Sequence, residues 1–170
     1  LLGLRSALLL DYLDDKVRSE DDLEKLTSKP VLAVVPVDPP PNNLPIAMTE
    51  PDHAAVEAYR GLRTNLQFLG LDDPINVLQV TSSLAGEGKT TTAVNLAVVL
   101  AQAGQRVALV DADLRRPRVH EVFAISQSPG FTDLLLGADA KSTVQHVSID
   151  GTNQLSVFTA GIVPSNPSEL

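Results

Sequence analysis

Two short stretches carry the residue types that handle phosphate. The first, TSSLAGEGKTTTAVNLA at residues 81 to 97, reads as a strand end, a glycine turn containing a lysine, and a helix. Its segment SLAGEGKT follows the phosphate-binding pattern G-x-x-x-x-G-K-[ST], with Ser83 replacing the first glycine. Gly86 and Gly88 let the backbone approach an anion with no Cβ in the way. The amides from about Glu87 to Thr91 then point inward at a helix start, where the macrodipole favours negative charge. Lys89 is placed to neutralise β and γ phosphate oxygens, and the Thr90 hydroxyl to bind Mg²⁺. The expected ligand is a nucleoside triphosphate. Gly-Lys-Thr at a helix start is weak evidence by itself; the apolar strand before it and the apolar helix after it favour the phosphate reading.

The second stretch is ALVDADLRRPR, residues 108 to 118. Asp111 and Asp113 fall at the C-terminal end of an expected strand, the edge where parallel sheets hold ligands. At i and i+2 they share a face, so both can reach a magnesium ion or a hydroxyl near a γ-phosphate. Helix caps or solvated turn residues are the alternative reading of such a pair. Arg115, Arg116 and Arg118 suit a phosphate or an acidic partner, and equally a solvated face.

The elements that must position these residues follow from periodicity. SEDDLEKL, residues 19 to 26, starts with a capping pattern, Ser19 followed by Asp22, and predicts a short helix ended by Pro30. VLAVVPV at 31 to 37 has strand length, and the proline-rich linker DPPPNNLP follows. The main domain is expected to start near Met48. From Pro51 to about Leu69, Ala55, Ala58, Tyr59, Leu62, Leu66 and Leu69 recur at helical spacing, with Glu57, Arg60, Arg63 and Gln67 on the opposite face. INVLQVTS predicts a buried strand, and residues 88 to 103 a helix apolar almost all round, capped by Gly104. RVALVDAD predicts a second buried strand, parallel to the first in a βαβ unit. GFTDLLLG suggests one or two helical turns, and QLSVFTAG a third strand. SNPSEL has Ser165 or Asn166 as a helix cap. The fold class is α/β with a mostly parallel central sheet flanked by helices.

Composition bounds the function. The 170 residues are 44% hydrophobic and 20% charged, enough for one core. No cysteine is present, which excludes disulfides and thiolate metal sites, and three scattered histidines give no ligand spacing. A net charge of −8 argues against nucleic-acid binding. LLGLRSALLL, residues 1 to 10, is too short to span a bilayer alone, which takes about 20 residues. It reads either as an amphipathic starter helix or as the end of a membrane helix.

SSLAGEGKTTTAVNLA followed by ALVDADLRRP resembles the Walker A and Walker A′ motifs of the bacterial tyrosine kinases, autokinases that govern capsule and exopolysaccharide synthesis. EAYRGLRTNLQF, GFTDLLLG and TAGIVPSNPSEL resemble the same family, so the likeness covers most of residues 11 to 170. DYLDDKVRSEDDLEKLTSKPVLAVVP is similar to the segment joining the last membrane helix of a chain-length-determinant domain to the kinase domain in fused members. The resemblance thus favours residues 1–10 as the end of a transmembrane helix and 11–47 as juxtamembrane helix, strand and linker. It makes 48–170 a P-loop ATP-binding kinase domain, C-terminally incomplete.

The resemblance implies ATP and Mg²⁺ as cofactors. Gly86, Glu87, Gly88, Lys89, Thr90 and Thr91 would hold the nucleotide, and Thr90, Asp111 and Asp113 the metal. Lys89, Asp111 and Asp113 are the expected catalytic set, one aspartate deprotonating the incoming tyrosine while the other organises Mg²⁺. Glu57, Arg60 and Arg63 match the family's E-x-x-R-x-x-R motif, which bridges subunits of a ring; an exposed charged face is the bland alternative. Implied partners are further copies of the chain, a membrane chain-length-determinant domain, fused or separate, and tyrosine-containing protein substrates, with no nucleic acid. The implied location is the cytoplasmic face of the bacterial inner membrane. Within these residues no Walker B aspartate and no tyrosine-rich tail occurs, and Tyr12 and Tyr59 are isolated, so the piece alone is expected to be inactive. Rival readings are a partitioning-type P-loop ATPase switch, which usually has a second lysine where Leu84 stands, and a nucleotide-binding chain-length regulator without phosphoryl transfer.

Overall fold

The computed structural model describes residues 19–36 and 44–166. The expectations for the membrane-helix end, Tyr12, most of the proline-rich linker and the helix start after Asn166 fall wholly or largely outside these residues. The chain divides into two units between Val34 and Val35.

In the first unit, helix α1 (Glu20–Thr27) starts as its capping pattern requires, with the Asp22 amide donating to Ser19 Oγ at 3.2 Å. Residues 31–36 carry no strand pairing. The β-branched run predicted a strand, but an extended segment becomes one only when a neighbouring chain accepts its ladder hydrogen bonds.

The second unit is organised around one buried helix. It comprises α2 (Ile46–Thr49), α3 (Ala54–Leu69), α4 (Lys89–Gln102), β1 (Ala108–Val110), α5 (Val119–Phe123), α6 (Phe131–Leu135), α7 (Ala140–Thr143), β2 (Gln145–Ser148) and β3 (Gln154–Phe158). Helix α4 is apolar around most of its circumference, and Val94, Leu96, Ala97, Val98, Val99 and Ala101 are all buried. A helix of that composition needs cover on several sides. Ala55, Val56 and Tyr59 of α3, Ile46 and Ala47 of α2, and Leu109, Leu155 and Val157 of the sheet belong to the same core.

The sheet has the order β1-β3-β2. β1 and β3 pair in parallel with Leu109 opposite Val157, so both fall in one row on the buried face. The strand expected over QLSVFTAG is β3, and it forms an antiparallel hairpin with β2, a strand that periodicity left unassigned. The sheet is therefore small and mixed, with helices against it. Only Leu109 of β1 is buried, because among the described residues the other face is not fully covered.

The predicted strand over INVLQVTS is corrected. Residues 75–81 make no ladder, and Ile75, Val77 and Leu78 are exposed, Val77 by 88%. The expected parallel pairing of this segment with RVALVDAD is absent among the described residues, and β1 takes β3 as its parallel neighbour instead. Apolar composition marks a segment suited to a central strand; burial also needs chain on both of its edges and faces.

Candidate functional site

The loop before α4 takes its shape from two glycines. Gly86 and Gly88 both sit at φ +87°, in the left-handed region. A Cβ at either would meet nothing within 4 Å, so the demand for glycine is torsional rather than steric. Gly88 is the N-cap residue of α4 and supplies no side-chain cap, and the first turn, Lys89 to Thr91, holds no acid. The leading amides of a 14-residue helix thus face the loop with the positive end of its dipole and no carboxylate of their own.

The loop is braced from within. Ser82 Oγ donates to the Leu84 carbonyl at 2.8 Å, and Glu87 Oε2 accepts from the Leu84 amide at 2.9 Å and from Ser83 Oγ at 3.3 Å. The Leu84 amide above all holds the Glu87 carboxyl below its ordinary value. Glu87, expected beside the nucleotide, therefore also shapes the loop with its side chain.

Lys89 shares a cavity of ≈ 410 Å³ with loop residues Ser82 to Ala85 and with Asp113, Arg115 and Arg116. The two stretches singled out by their chemistry meet here, across 24 residues of sequence from Lys89 to Asp113. A larger cleft of ≈ 620 Å³ runs between α3, α4 and residues 74–80, but its lining holds no acid and no phosphate-loop residue. Charge complementarity to a metal-bound phosphate favours the smaller cavity.

The two aspartates differ. Asp113 is half-buried in the cavity, its Oδ1 accepting from the Arg115 and Arg116 amides at 3.3 and 3.1 Å. Asp111 is 5% exposed, and its carboxylate accepts from the amides of Asp113, Arg118 and Val119 at 3.2, 3.1 and 3.0 Å. Asp111 thereby closes the loop from β1 onto the start of α5, the capping role that was one of two readings of the pair. Burial pushes its carboxyl above the ordinary value of 3.8, against the pull of those three amides. Arg118 pairs with Glu121 on the surface.

On α3, Glu57 and Arg60 form an ion pair on the outer side. Arg63 departs from the expectation that all three motif residues face away from the core: its Nη1 donates to the Val99 carbonyl of α4 at 3.1 Å. The side-chain length explains it, because an arginine at the edge of an apolar stripe lays its stem along the neighbour and spends its charge on a helix carbonyl. Tyr59 is 3% exposed, and burial raises its hydroxyl above the ordinary value of 10.0. Periodicity also passed over Asn95, a buried amide in the apolar wall of α4. The one available signal was a lone amide side chain within an otherwise aliphatic run.

Comparison with known proteins agrees with this fold. The ParA family model, described as NUBPL iron-transfer P-loop NTPase, matches residues 74–159. The chain is 46% identical over 125 residues to tyrosine-protein kinase YwqD of Bacillus subtilis (strain 168), a match covering 74% of this chain and 52% of that protein. It is 34% identical over 181 residues to tyrosine-protein kinase ptk of Acinetobacter johnsonii, covering 99% of this chain and 24% of that one. The solved kinase domain of Escherichia coli tyrosine kinase ETK superposes with a TM-score of 0.80 at 34% identity, covering 91% of this chain and 63% of that domain. The chain thus spans about half of the Bacillus relative and about a quarter of the Acinetobacter one.

Proposed function

We propose that this chain, a member of the ParA-type P-loop NTPases, lies in their bacterial tyrosine-kinase branch and carries the nucleotide site of an ATP-dependent protein-tyrosine autokinase controlling capsule or exopolysaccharide synthesis. The observation that carries this reading is the meeting of Lys89, the uncapped start of α4 and Asp113 in one cavity.

The residues fit Mg²⁺·ATP. Magnesium keeps water and phosphate among its ligands and needs only one or two protein oxygens. Thr90, Asp113 and Asp111 would hold the ion. When bound, Mg²⁺·ATP supplies the γ-phosphoryl group and offsets part of its charge.

The chain's own residues do the positioning. The amides of Gly86 to Thr91 orient the phosphates along the dipole of α4, and Lys89 holds the oxygens whose charge grows during transfer. An aspartate of the Asp111/Asp113 pair accepts the proton of the tyrosine hydroxyl, Asp113 being the better exposed. In this reading the acceptor tyrosine belongs to a neighbouring copy or another protein; Tyr59, in the core, is not placed to serve as one. Glu57 and Arg60 give α3 an outward charged face suited to bridging copies in a ring. A membrane chain-length-determinant domain, fused or separate, would hold the kinase at the cytoplasmic face of the inner membrane. Among the described residues no helix is long and apolar enough to cross a membrane.

The test is Lys89→Met in the full-length protein, read by anti-phosphotyrosine immunoblot with circular dichroism as the folding control. The signal should vanish while the spectrum is kept. Undiminished phosphotyrosine would exclude the mechanism. ATP hydrolysis by the parent protein without any phosphotyrosine would favour a partitioning-type switch instead.

A further inference from the structure

Helix α4 is gripped from behind by the segment that enters the second unit. The Ala47 amide donates to Asn95 Oδ1 at 3.0 Å, and the Ala47 carbonyl accepts from Gln102 Nε2 at 3.0 Å. Both ends of one residue's backbone are therefore held by side chains of the helix that starts at Lys89. Asn95 does more: its Nδ2 donates to the Thr91 carbonyl at 2.9 Å, one turn back toward the phosphate loop. The Ala47 amide is a donor, so the Asn95 atom facing it must be the oxygen, and the orientation of the side chain is fixed.

Asn95 is 2% exposed in a wall of Val94, Leu96, Val98 and Val99. Packing alone would favour an aliphatic side chain there, because a buried amide is costly unless both of its ends are bonded. Both are bonded, one to the entering segment and one to the first turn of α4.

We infer that Asn95 is a positioning residue that couples the setting of residues 45–49 to the phosphate loop, so that occupancy of the loop and the docking of Ala47 bias one another. Thr91 belongs to the turn whose amides face the phosphates. A shift of α4 that tightens those amides also moves Asn95, and with it the acceptor of the Ala47 amide. Linkage makes the effect reciprocal: nucleotide favours the Asn95-bonded setting of Ala47 by the same factor by which that setting, transmitted through Asn95, favours nucleotide. This inference rests on the nucleotide reading of the loop, though not on phosphoryl transfer.

The experiment uses the full-length protein, Mg²⁺ and a non-hydrolysable ATP analogue. Calorimetry gives the affinity, and amide hydrogen exchange follows the peptide spanning 45–49. Saturation should slow exchange at Ala47 several-fold in the parent protein. Asn95→Leu should abolish that protection and weaken affinity by about tenfold, the scale of one buried hydrogen bond. Gln102→Leu, which leaves the first turn alone, should lower the melting temperature yet keep the affinity within about twofold. Analogue binding with unchanged exchange at 45–49 overturns the coupling and spares the nucleotide site; that measurement needs no variant, so it stands even if Asn95→Leu fails to fold. Full affinity in folded Asn95→Leu overturns it too, and complete absence of binding removes both readings.

Discussion

The guanidinium of Arg63 on α3 donates to the carbonyl of Val99 on α4, 3.1 Å away. Glu57 and Arg60, two turns and one turn earlier, pair with each other on the outer side. The E-x-x-R-x-x-R motif is thus split between an outward ion pair and an inward clamp on the phosphate-loop helix.

The two halves should separate in experiment. Arg63→Ala should cost about 1.5–3 kcal/mol in chemical denaturation, from a lost charge-assisted hydrogen bond and lost stem packing. Glu57→Ala with Arg60→Ala should stay within about 1 kcal/mol of the parent, since exposed pairs contribute little, but should reduce ring assembly in sedimentation velocity. An unchanged profile for the double variant would remove the proposed interface. An Arg63→Ala protein as stable as the parent would remove the clamp.

The aspartates predict different failures. Asp111→Ala leaves the amides of Arg118 and Val119 without their acceptor at a buried site, an expected loss of about 1–3 kcal/mol for each group left unsatisfied. Asp113→Asn keeps Oδ1 as acceptor for the Arg115 and Arg116 amides and should hold its unfolding midpoint within about 1 kcal/mol of the parent. Phosphotyrosine should nonetheless disappear in both. Activity surviving in Asp113→Asn would shift the acid-base and metal roles to Asp111.

Much of this site was legible in the sequence because its signals are local. Glycines at positive φ, a lysine at a helix start and two acids at a strand end are recognisable without tertiary knowledge; the structure sets Gly86 and Gly88 at positive φ and brings Lys89 and Asp113 to one cavity. Ser19 and Gly104 likewise delimit their helices as local chemistry requires. Ile75 to Val80 and Val31 to Val35 were misread because composition specifies what a strand can bury, not which chain will pair with it. Arg63 and Asn95 were missed for a related reason: their partners, Val99 and Ala47, lie 36 and 48 residues away. The β2–β3 hairpin escaped because its turn signal, Asp150-Gly151, lies in a polar stretch without clear alternation.

Gly130 provides a steric test at the far side of β3. A Cβ there would run into the Thr159 carbonyl oxygen and the Gly161 amide, both backbone atoms with no room to yield. Its own amide donates to Asp133 Oδ2 at 2.7 Å, capping α6, while the Phe131 and Thr132 amides donate to the Thr159 and Ala160 carbonyls at 2.6 and 3.0 Å. Gly130→Ala must push α6 off the end of β3, and a loss of about 3 kcal/mol is expected, at the upper end for overpacking. Gly137, in open space, should tolerate alanine with only the torsional penalty of its positive φ. Equal effects at the two positions would contradict this docking.

The acid limb of stability should be governed by Asp150 and Asp111 with opposite signs. Asp150 turns the β2–β3 hairpin, accepting from Asn153 Nδ2 at 2.9 Å, the Asn153 amide at 2.7 Å, Thr152 Oγ1 at 2.8 Å and the Thr152 amide at 3.0 Å. These donors, Asn153 first, hold its carboxyl well below the ordinary value of 3.8. A depressed folded pKa means that the unfolded chain binds the extra proton, so the stability it contributes is present above about pH 4 and is lost as pH falls further. Asp111 runs the other way: its raised carboxyl contributes stability that is full below the unfolded pKa and lost as pH rises through the folded one. Melting temperatures of the parent and Asp150→Ala should therefore differ most at neutral pH and begin to converge as pH falls below about 4. Because Asp150 is exposed, solvent screening keeps the gap small even at its largest. With Asp150 replaced, the remaining contribution of Asp111 should flatten the acid limb, and a gap between the two proteins that persists unchanged at pH 3 would assign the turn's stability to something other than this carboxylate.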